Sequence, residues 1–446
     1  MSVPTMPLRR GESTASRSGP DGLPRLLPAD TTRPEGLRGH LARHGFVPYR
    51  NDRLRLAGDL RAAGLTGRGG ASFPVYRKLE AVTAVGGRPF VVANGAESEP
   101  ASSKDASLMW LAPHLVLDGL QLAVEAVGAH EACLYVHDTE GGQLTSALQS
   151  ALSERWSARI DRVPVRLAVA PPRFLAGQET AMVNLLNGGL ALPTFAPPRV
   201  FERGVAGAPT LVQNVETLAH IGLIARYGAD WFRRVGTRAE PGSMLSTINH
   251  ADGSVRIIEA AIGTPLRSLL AADLGTDGID GPAQAILAGG YHGTWIPAPR
   301  AAELTLDNAG LRPVGASVGA GVLAALPAAH CGLAETARVA HYLALESAGQ
   351  CGPCLNGLPR IAKGLATLAG MRPPRQVRKD IERWAGLVAG RGACSHPDGS
   401  VRFVRSALTV FAAELRHHER GVCSATARRP FLPLPPATAL SDEDWS

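Results

Sequence analysis

The sequence predicts three folded units in series. The first is an α/β unit with a largely parallel sheet covered by helices. The second is a small α+β unit of ubiquitin-like size, and the third is a helical bundle with cysteines in its loops. Three observations carry this. Between about 55 and 235, short apolar runs alternate with amphipathic stretches, as in successive βαβ units. From about 242 the runs follow one another as strand, strand, helix, strand. From about 333 to 420 the apolar spacing is helical. A chain of 446 residues has room for about two to four domains.

In chain order, residues 1–50 are rich in Pro, Arg, Gly and Ser and read as a loosely packed, partly disordered arm. FVVAN at 90–94 is a short apolar run ending in a polar residue. Pro113 opens a helix that runs through HLVLDGLQLAVEAVG, and Gly128 stops it. ACLYVH at 132–137 is the next strand, followed by a helix near 143–154, a strand in VPVRLAVA at 163–170, and a helix after Gly177. The first unit is taken as 51–238. In the second, 239–328, SMLSTIN and SVRIIEAAIG are strands, TPLRSLLAADLG is a helix and AQAILAGG is a strand. The third, 329–420, opens with AETARVAHYLALESAG, whose Val339, Tyr342, Leu343 and Leu345 lie at helical spacing. Residues 421–446 form a Pro-rich, extended tail.

Composition excludes several classes. Hydrophobic residues make up 45% and aromatics only 5%, so Ala, Leu, Val and Gly must fill most of the interior. The net charge of +7 is spread over scattered arginines with no basic–aromatic stripe, which argues against nucleic-acid binding. Six cysteines in so long a chain do not make a disulfide scaffold. The first twenty residues lack the apolar stretch of a signal peptide. No run of about 18 apolar residues offers a membrane span. A cytoplasmic protein is expected, peripheral to a membrane only through a partner. Arg is strongly preferred over Lys. Up to residue 362 the only lysines are Lys78 and Lys104, positions where a compact ammonium is the distinguishing chemistry.

Four stretches point to a ligand. GLTGRGGASFP at 64–74 is a glycine-rich turn whose Gly67, Gly69 and Gly70 let backbone N–H groups approach a phosphate or ring edge, with Arg68 adding charge. VVANGAESEPASSKD at 91–105 follows a strand, at the carboxyl end where open α/β sheets bind ligands. Its Glu97 and Glu99 can accept from ribose hydroxyls. In FLAGQETAMVNLLNG, Gly177 and Glu179 sit at a strand-to-helix junction. In PTLVQNVETLAHI, Gln213, Asn214 and Thr217 supply uncharged hydrogen-bonding groups. Each stretch alone also reads as a turn, an acidic loop or a helix cap. A fifth, ESAGQCGPC at 346–354, holds Cys351 and Cys354, and Cys394 follows in GACSHPDG. That grouping suggests a metal or redox site.

Together and in this order, the five stretches resemble the NADH-binding flavoprotein subunit of respiratory complex I and its relatives in NAD-dependent hydrogenases and formate dehydrogenases. That family carries G-R-G-G-A-G-F-P, N-A-D-E-S-E-P-G, C-G-E-E-T, N-N-V-E-T-L and E-S-C-G-x-C-x-P-C, then a lone Cys. The resemblance runs from about 55 to 418. It implies a Rossmann-like α/β FMN domain, a ubiquitin-like domain of the soluble ligand-binding β-grasp type, and a helical bundle carrying an iron–sulfur site. It also implies FMN, an iron–sulfur cluster and NADH as electron donor. Gly67, Arg68, Gly69, Gly70, Phe73, Lys78, Asn94, Glu97, Glu99, Gly177, Glu179, Gln213, Asn214 and Thr217 would line the flavin and nucleotide site. Cys351, Cys354 and Cys394 would hold the cluster. No residue is expected to act as a general acid or base. The implied activity is NADH dehydrogenase-like, with electrons passing to a ferredoxin-like or other iron–sulfur or quinone-reducing partner.

The departures from the family pattern cluster at the site. Ala96 stands for the family Asp, and Gln178 for a carboxylate. Ala81, Ala196 and Arg199 replace an aromatic, a Lys and a Phe that hold NADH in the family; each lost stacking ring removes about 1–3 kcal/mol by analogy with base–aromatic contacts. Ala348 takes the first cluster-ligand position. Three thiolates still suffice for a 3Fe–4S cluster, or for a 4Fe–4S cluster whose fourth iron is open or bound by another group. Cys331, Cys423 and His396 are candidates for that position; a Cys₃His zinc site with His396, or three structural thiols with no metal, are the competing readings. The alternative function is a divergent, non-catalytic assembly or conduit component that has lost NADH oxidation.

Overall fold

In the computed structural model, residues 22–138, 141–275, 282–427, 429–435 and 445 are described. The first sheet holds β1 (Phe90–Gly95), β2 (Glu131–His137), β3 (Val165–Ala170) and β4 (Thr210–Asn214). Their order is β3-β2-β1-β4, and every pair is parallel. β1 and β2 are buried on both faces, which is why they read as continuous apolar runs. Sequence reading places β1, β2 and β3 and assigns no strand to β4. Five residues between Pro209 and a helix cap give too short a run to stand out, and parallel pairing with β1 makes the strand.

One face of this sheet is covered by the helices Pro113–Val127 and Val215–Arg233. They cross at Gly119, where any Cβ would lie 1.8 Å from the Leu218 carbonyl oxygen. Glycine is needed there for two backbones to touch.

The second sheet holds β5 (Ser243–Asn249), β6 (Val255–Ala261), β7 (Ala283–Ala288), β8 (Thr294–Pro297) and β9 (Val322–Pro327). The order is β6-β5-β9-β7-β8, with β5 and β9 parallel and the other pairs antiparallel. The expected helix at 264–275 is two single turns, Leu266–Leu269 and Ala271–Leu274. Helices Gly332–Leu345, Leu358–Ala369, Gln376–Val388, His396–Val410 and Ala412–Glu419 follow. They share an apolar core with β7 and β9.

Both termini pack more closely than their composition suggests. Of the arm, residues 1–21 lie outside the described residues, but Leu26 is fully buried. Arg25 donates to the carbonyls of Trp231 and Phe232 at 3.1 and 3.2 Å. Leu26, Leu27 and Val47 join the core of the first unit, and His40 Nε2 lies 2.7 Å from Asp118. At the other end, Leu432 is 1% exposed, and its N–H donates to Glu335 at 3.0 Å. No single helix among the described residues is long and apolar enough to cross a membrane.

Candidate functional site

In a sheet ordered β3-β2-β1-β4, all parallel, the carboxyl ends of β1 and β4 lie side by side, the end at which open α/β sheets bind ligands. Asn94, near the end of β1, pairs in register with Asn214, which ends β4. A cleft of about 170 Å³ lies there, lined by Gly69, Asn94, Glu97, Glu99, Gly177, Asn214 and others, with Ala320 from the second unit on its far wall.

Backbone approach shapes the cleft. A Cβ on Gly177 would lie 2.7 Å from the Ala96 carbonyl oxygen, so the loops after β1 and β3 touch through main chain. Asn94 Nδ2 locks the contact by donating to Gly177 O at 2.9 Å. Gly69 packs against Asn214, whose Cβ would be 3.2 Å from a side chain there, and Gly70 adopts a positive φ of 104° beside Gly319. These small residues make a cradle that a planar ligand can approach closely.

Several singled-out polar residues turn out to hold the walls. Gln178 Oε1 accepts from the N–H groups of Thr180 and Ala181 at 2.8 and 2.9 Å and so caps the helix Glu179–Leu186. Asn214 Oδ1 caps the helix Val215–Arg233 through Glu216 N and Thr217 N, while its Nδ2 donates to Asp105 at 2.7 Å. Glu97 accepts from the N–H groups of Asp105 and Ala106 at the start of the helix Lys104–Leu111. Burial, then the nearby Asp105 charge, pushes its carboxyl up. Glu99 accepts from Tyr291 N at 2.7 Å, and burial raises it to about 7.

Arg68 lines the cleft, while its guanidinium donates to the carbonyls of Ser243 and Pro241 at 3.2 and 3.3 Å and its N–H donates to Thr217 Oγ1 at 2.9 Å. Thr217 is fully buried by that bond. The Arg68 charge thus pins the glycine turn to the second unit. Gln213 is 3% exposed, and its Nε2 has no hydrogen-bond partner among the described residues. Lys78 donates to Val212 O at 3.2 Å and lies 3.6 Å from Glu179. Phe73 is nearly half exposed at the surface.

Lys104 is rare by sequence but does not figure among the expected site residues. It lines the cleft at 2% exposure, with Nζ 2.7 Å from Asp105 and 2.8 Å from Glu216. Burial works against its charge, but the two carboxylates override that and hold the ammonium well above its ordinary range. Its solitary status is the signal: a buried ion triad needs a compact cation.

The three cysteines converge. Cys351 lies at the start of the loop, Cys354 within the π-helical turn Pro353–Gly357, and Cys394 just before the helix His396–Val410. Burial pushes the Cys354 thiol up to about 12, with Cys351 and Cys394 adding to the rise; burial and then Cys351 likewise raise Cys394. Three thiolates in mutual influence suit an iron–sulfur cluster, whose sulfurs bind different irons.

His396 does not face the thiols as a free ligand. Its Nε2 is 2.8 Å from Leu343 O and its Nδ1 is 3.0 Å from His292, so both ring nitrogens are engaged. Cys331 and Cys423 lie with Glu414 and His418 instead. Neither a Cys₃His396 zinc site nor a fourth thiolate from these residues is built. Ser347 is hydrogen-bonded to the Cys354 thiol.

One short loop joins cleft and thiols. Ser98 donates to Phe174 O at 2.7 Å, and Phe174 N donates to Glu346, the residue that opens the cysteine loop, at 2.8 Å. Arg173 reaches the same carboxylate at 3.2 Å. The Phe174 ring packs edge-on against Tyr342 and His292.

Residues 60–223 match the Nuo51 FMN-binding domain family, and residues 334–418 match the NADH-ubiquinone oxidoreductase-F iron–sulfur binding region. Among similar proteins, the second NADH-quinone oxidoreductase F subunit of Rhizobium meliloti is 27% identical over 80% of this chain and 87% of its own length. The NADH-quinone oxidoreductase F subunit of Mycobacterium bovis is 29% identical over 84% and 86%. An NAD⁺-reducing NiFe hydrogenase superposes with a TM-score of 0.75 at 27% identity, covering 83% of this chain. This chain spans 63% of that hydrogenase chain's length.

Proposed function

Because one chain carries both the FMN-binding domain and the iron–sulfur-binding region found in NADH-quinone oxidoreductase F subunits, we infer that it is an NADH dehydrogenase-type electron-transfer component. Its cofactors are FMN and an iron–sulfur cluster, and NADH is its donor. The observation that carries this is the single loop, 171–178, that forms the cleft floor at Gly177 and grips the cysteine loop at Glu346. When bound, FMN would supply the conversion of a two-electron hydride donor into single electrons for a cluster, chemistry that no side chain supplies.

The protein's share is placement. Gly67, Gly69, Gly70 and Gly177 would bring main chain against the flavin, Asn94 and Asn214 stand side by side at the ends of β1 and β4, and Lys78 is paired with Glu179. Gln213 offers a spare buried donor one residue from Asn214. Arg68, Thr217, Glu97 and Lys104 keep these groups in position. Cys351, Cys354 and Cys394 hold the cluster, whose fourth iron has no cysteine; a 4Fe–4S cluster with a non-cysteine or open position, or a 3Fe–4S cluster, satisfies three thiolates.

The middle unit is assigned as a ubiquitin-like β-grasp domain, since its order β6-β5-β9-β7-β8 sets β9 between the hairpins β5–β6 and β7–β8 and parallel to β5. Electrons leave to a partner protein of ferredoxin-like or quinone-reducing type. The non-catalytic alternative is not favoured, because the cleft and the thiols remain joined. Anaerobic addition of NADH to the purified yellow-brown protein is expected to bleach the flavin bands. A flavin that stays oxidised while dithionite reduces it would overturn NADH as donor.

A further inference from the structure

A second metal-ligand cluster lies in the helical unit, built from other residues than the cysteine loop's, and is not part of the electron path. Cys331 precedes the helix Gly332–Leu345, Glu414 and His418 lie one turn apart on the helix Ala412–Glu419, and Cys423 follows in the next loop. One ligand atom from each lies within 4.8 Å of all the others. We propose that Cys331, Glu414, His418 and Cys423 bind a structural zinc ion that fastens the C-terminal segment to the helical unit.

The distances suit that ion. Zinc bonds of about 2.3 Å to sulfur and about 2.0–2.1 Å to nitrogen or oxygen give tetrahedral edges of about 3.6 Å from sulfur to nitrogen and about 3.3 Å from nitrogen to oxygen. Cys331 Sγ is 3.6 Å from His418 Nε2, and His418 Nε2 is 3.0 Å from Glu414 Oε1. The imidazole is already oriented. Its Nδ1 is 3.1 Å from the Leu368 carbonyl, which fixes the proton there and leaves the Nε2 lone pair facing the two sulfurs and the carboxylate. Glu414 is held in turn by Ser424 N at 2.9 Å and by the Ser424 hydroxyl. The Ala334 N–H, in the first turn of the helix, points at Cys331 Sγ at 3.4 Å.

His418 is 1% exposed, and Cys331 and Glu414 are 8% exposed, so the site is closed except beside Cys423. A closed four-ligand site is structural rather than catalytic. Zinc takes both cysteines as thiolates, so binding releases the two thiol protons. What the ion would fasten is the chain beyond 423, whose Leu432 is buried against Glu335 of the helix that Cys331 caps.

Elemental analysis of the full-length protein, purified with its iron intact, tests this directly. About one zinc per chain is expected in addition to iron. The His418→Asn/Cys423→Ser variant is expected to lose zinc by at least about ten-fold with iron unchanged, and Cys351→Ser to lose iron with zinc unchanged. Should the double variant fail to fold, chelator-treated wild-type protein titrated with Co²⁺ gives the deciding readout. The thiolate and ligand-field bands of tetrahedral cobalt, reversed by Zn²⁺, support the site. Iron-loaded wild-type protein without zinc and without those bands, or a Cys331–Cys423 disulfide by mass, overturns it.

Discussion

At the scale of single residues, two buried carboxylate neighbourhoods set what substitutions do. Lys104 neutralises Asp105 and Glu216 in a pocket where all three are at most 7% exposed. Lys104→Met leaves two buried carboxylates facing each other, and a loss of about 3–5 kcal/mol is expected, read from urea midpoints. Glu99 behaves differently. Burial raises its folded pKa to about 7 from an ordinary 4.5, so between these values the native state holds a proton that the unfolded chain has lost. Stability therefore declines as pH rises from 4.5 to about 7, and Glu99→Gln is expected to flatten that decline. Equal slopes for both proteins would show that another group titrates there. Gly177→Ala pushes a methyl against Ala96 O, an overpacking cost of about 1–3 kcal/mol. Flavin content per chain should fall while thermal unfolding stays cooperative. Of the residues themselves, the glycines were legible because close backbone approach requires that residue type. Arg68 was not, because a sequence shows a charge without its direction, and here the charge is spent on the carbonyls of Ser243 and Pro241.

At the scale of elements, helix starts carry much of the site. Gln178 and Asn214 cap two helices whose first turns border the cleft, so the same residues that look like ligand contacts are also structural. Gln178→Ala should cost about 1 kcal/mol through the lost cap, whereas Gln178→Glu keeps the acceptor and the stability. Denaturant midpoints of the two variants check this. β1, β2 and β3 could be read because each leaves a recognisable apolar run; β4 and β8 escaped because strands of five and four residues are defined by their neighbours, and β9, an apolar run of six, because such a run does not by itself tell strand from helix. In the described part of the arm, Arg25, Leu26, His40 and Val47 are buried, a seating that its Pro- and Arg-rich composition does not display.

At the scale of the whole molecule, the cleft belongs to more than one unit. Its floor is the loop after β3, its far wall is Ala320, and Glu99 is anchored by Tyr291 of the second unit. From there Phe174, Arg173 and Glu346 lead to the three thiols. The order of motifs in the chain made the units legible, but not this junction, which links residues 172 positions apart. The junction is what the proposed electron path depends on. Its most direct test is electron paramagnetic resonance of the anaerobic protein frozen after NADH addition. A signal from an iron–sulfur cluster whose redox state NADH has changed, present in the wild type and abolished in Cys351→Ser with flavin still bleached, is the predicted result. Bleached flavin with a cluster signal that NADH leaves unchanged would contradict it.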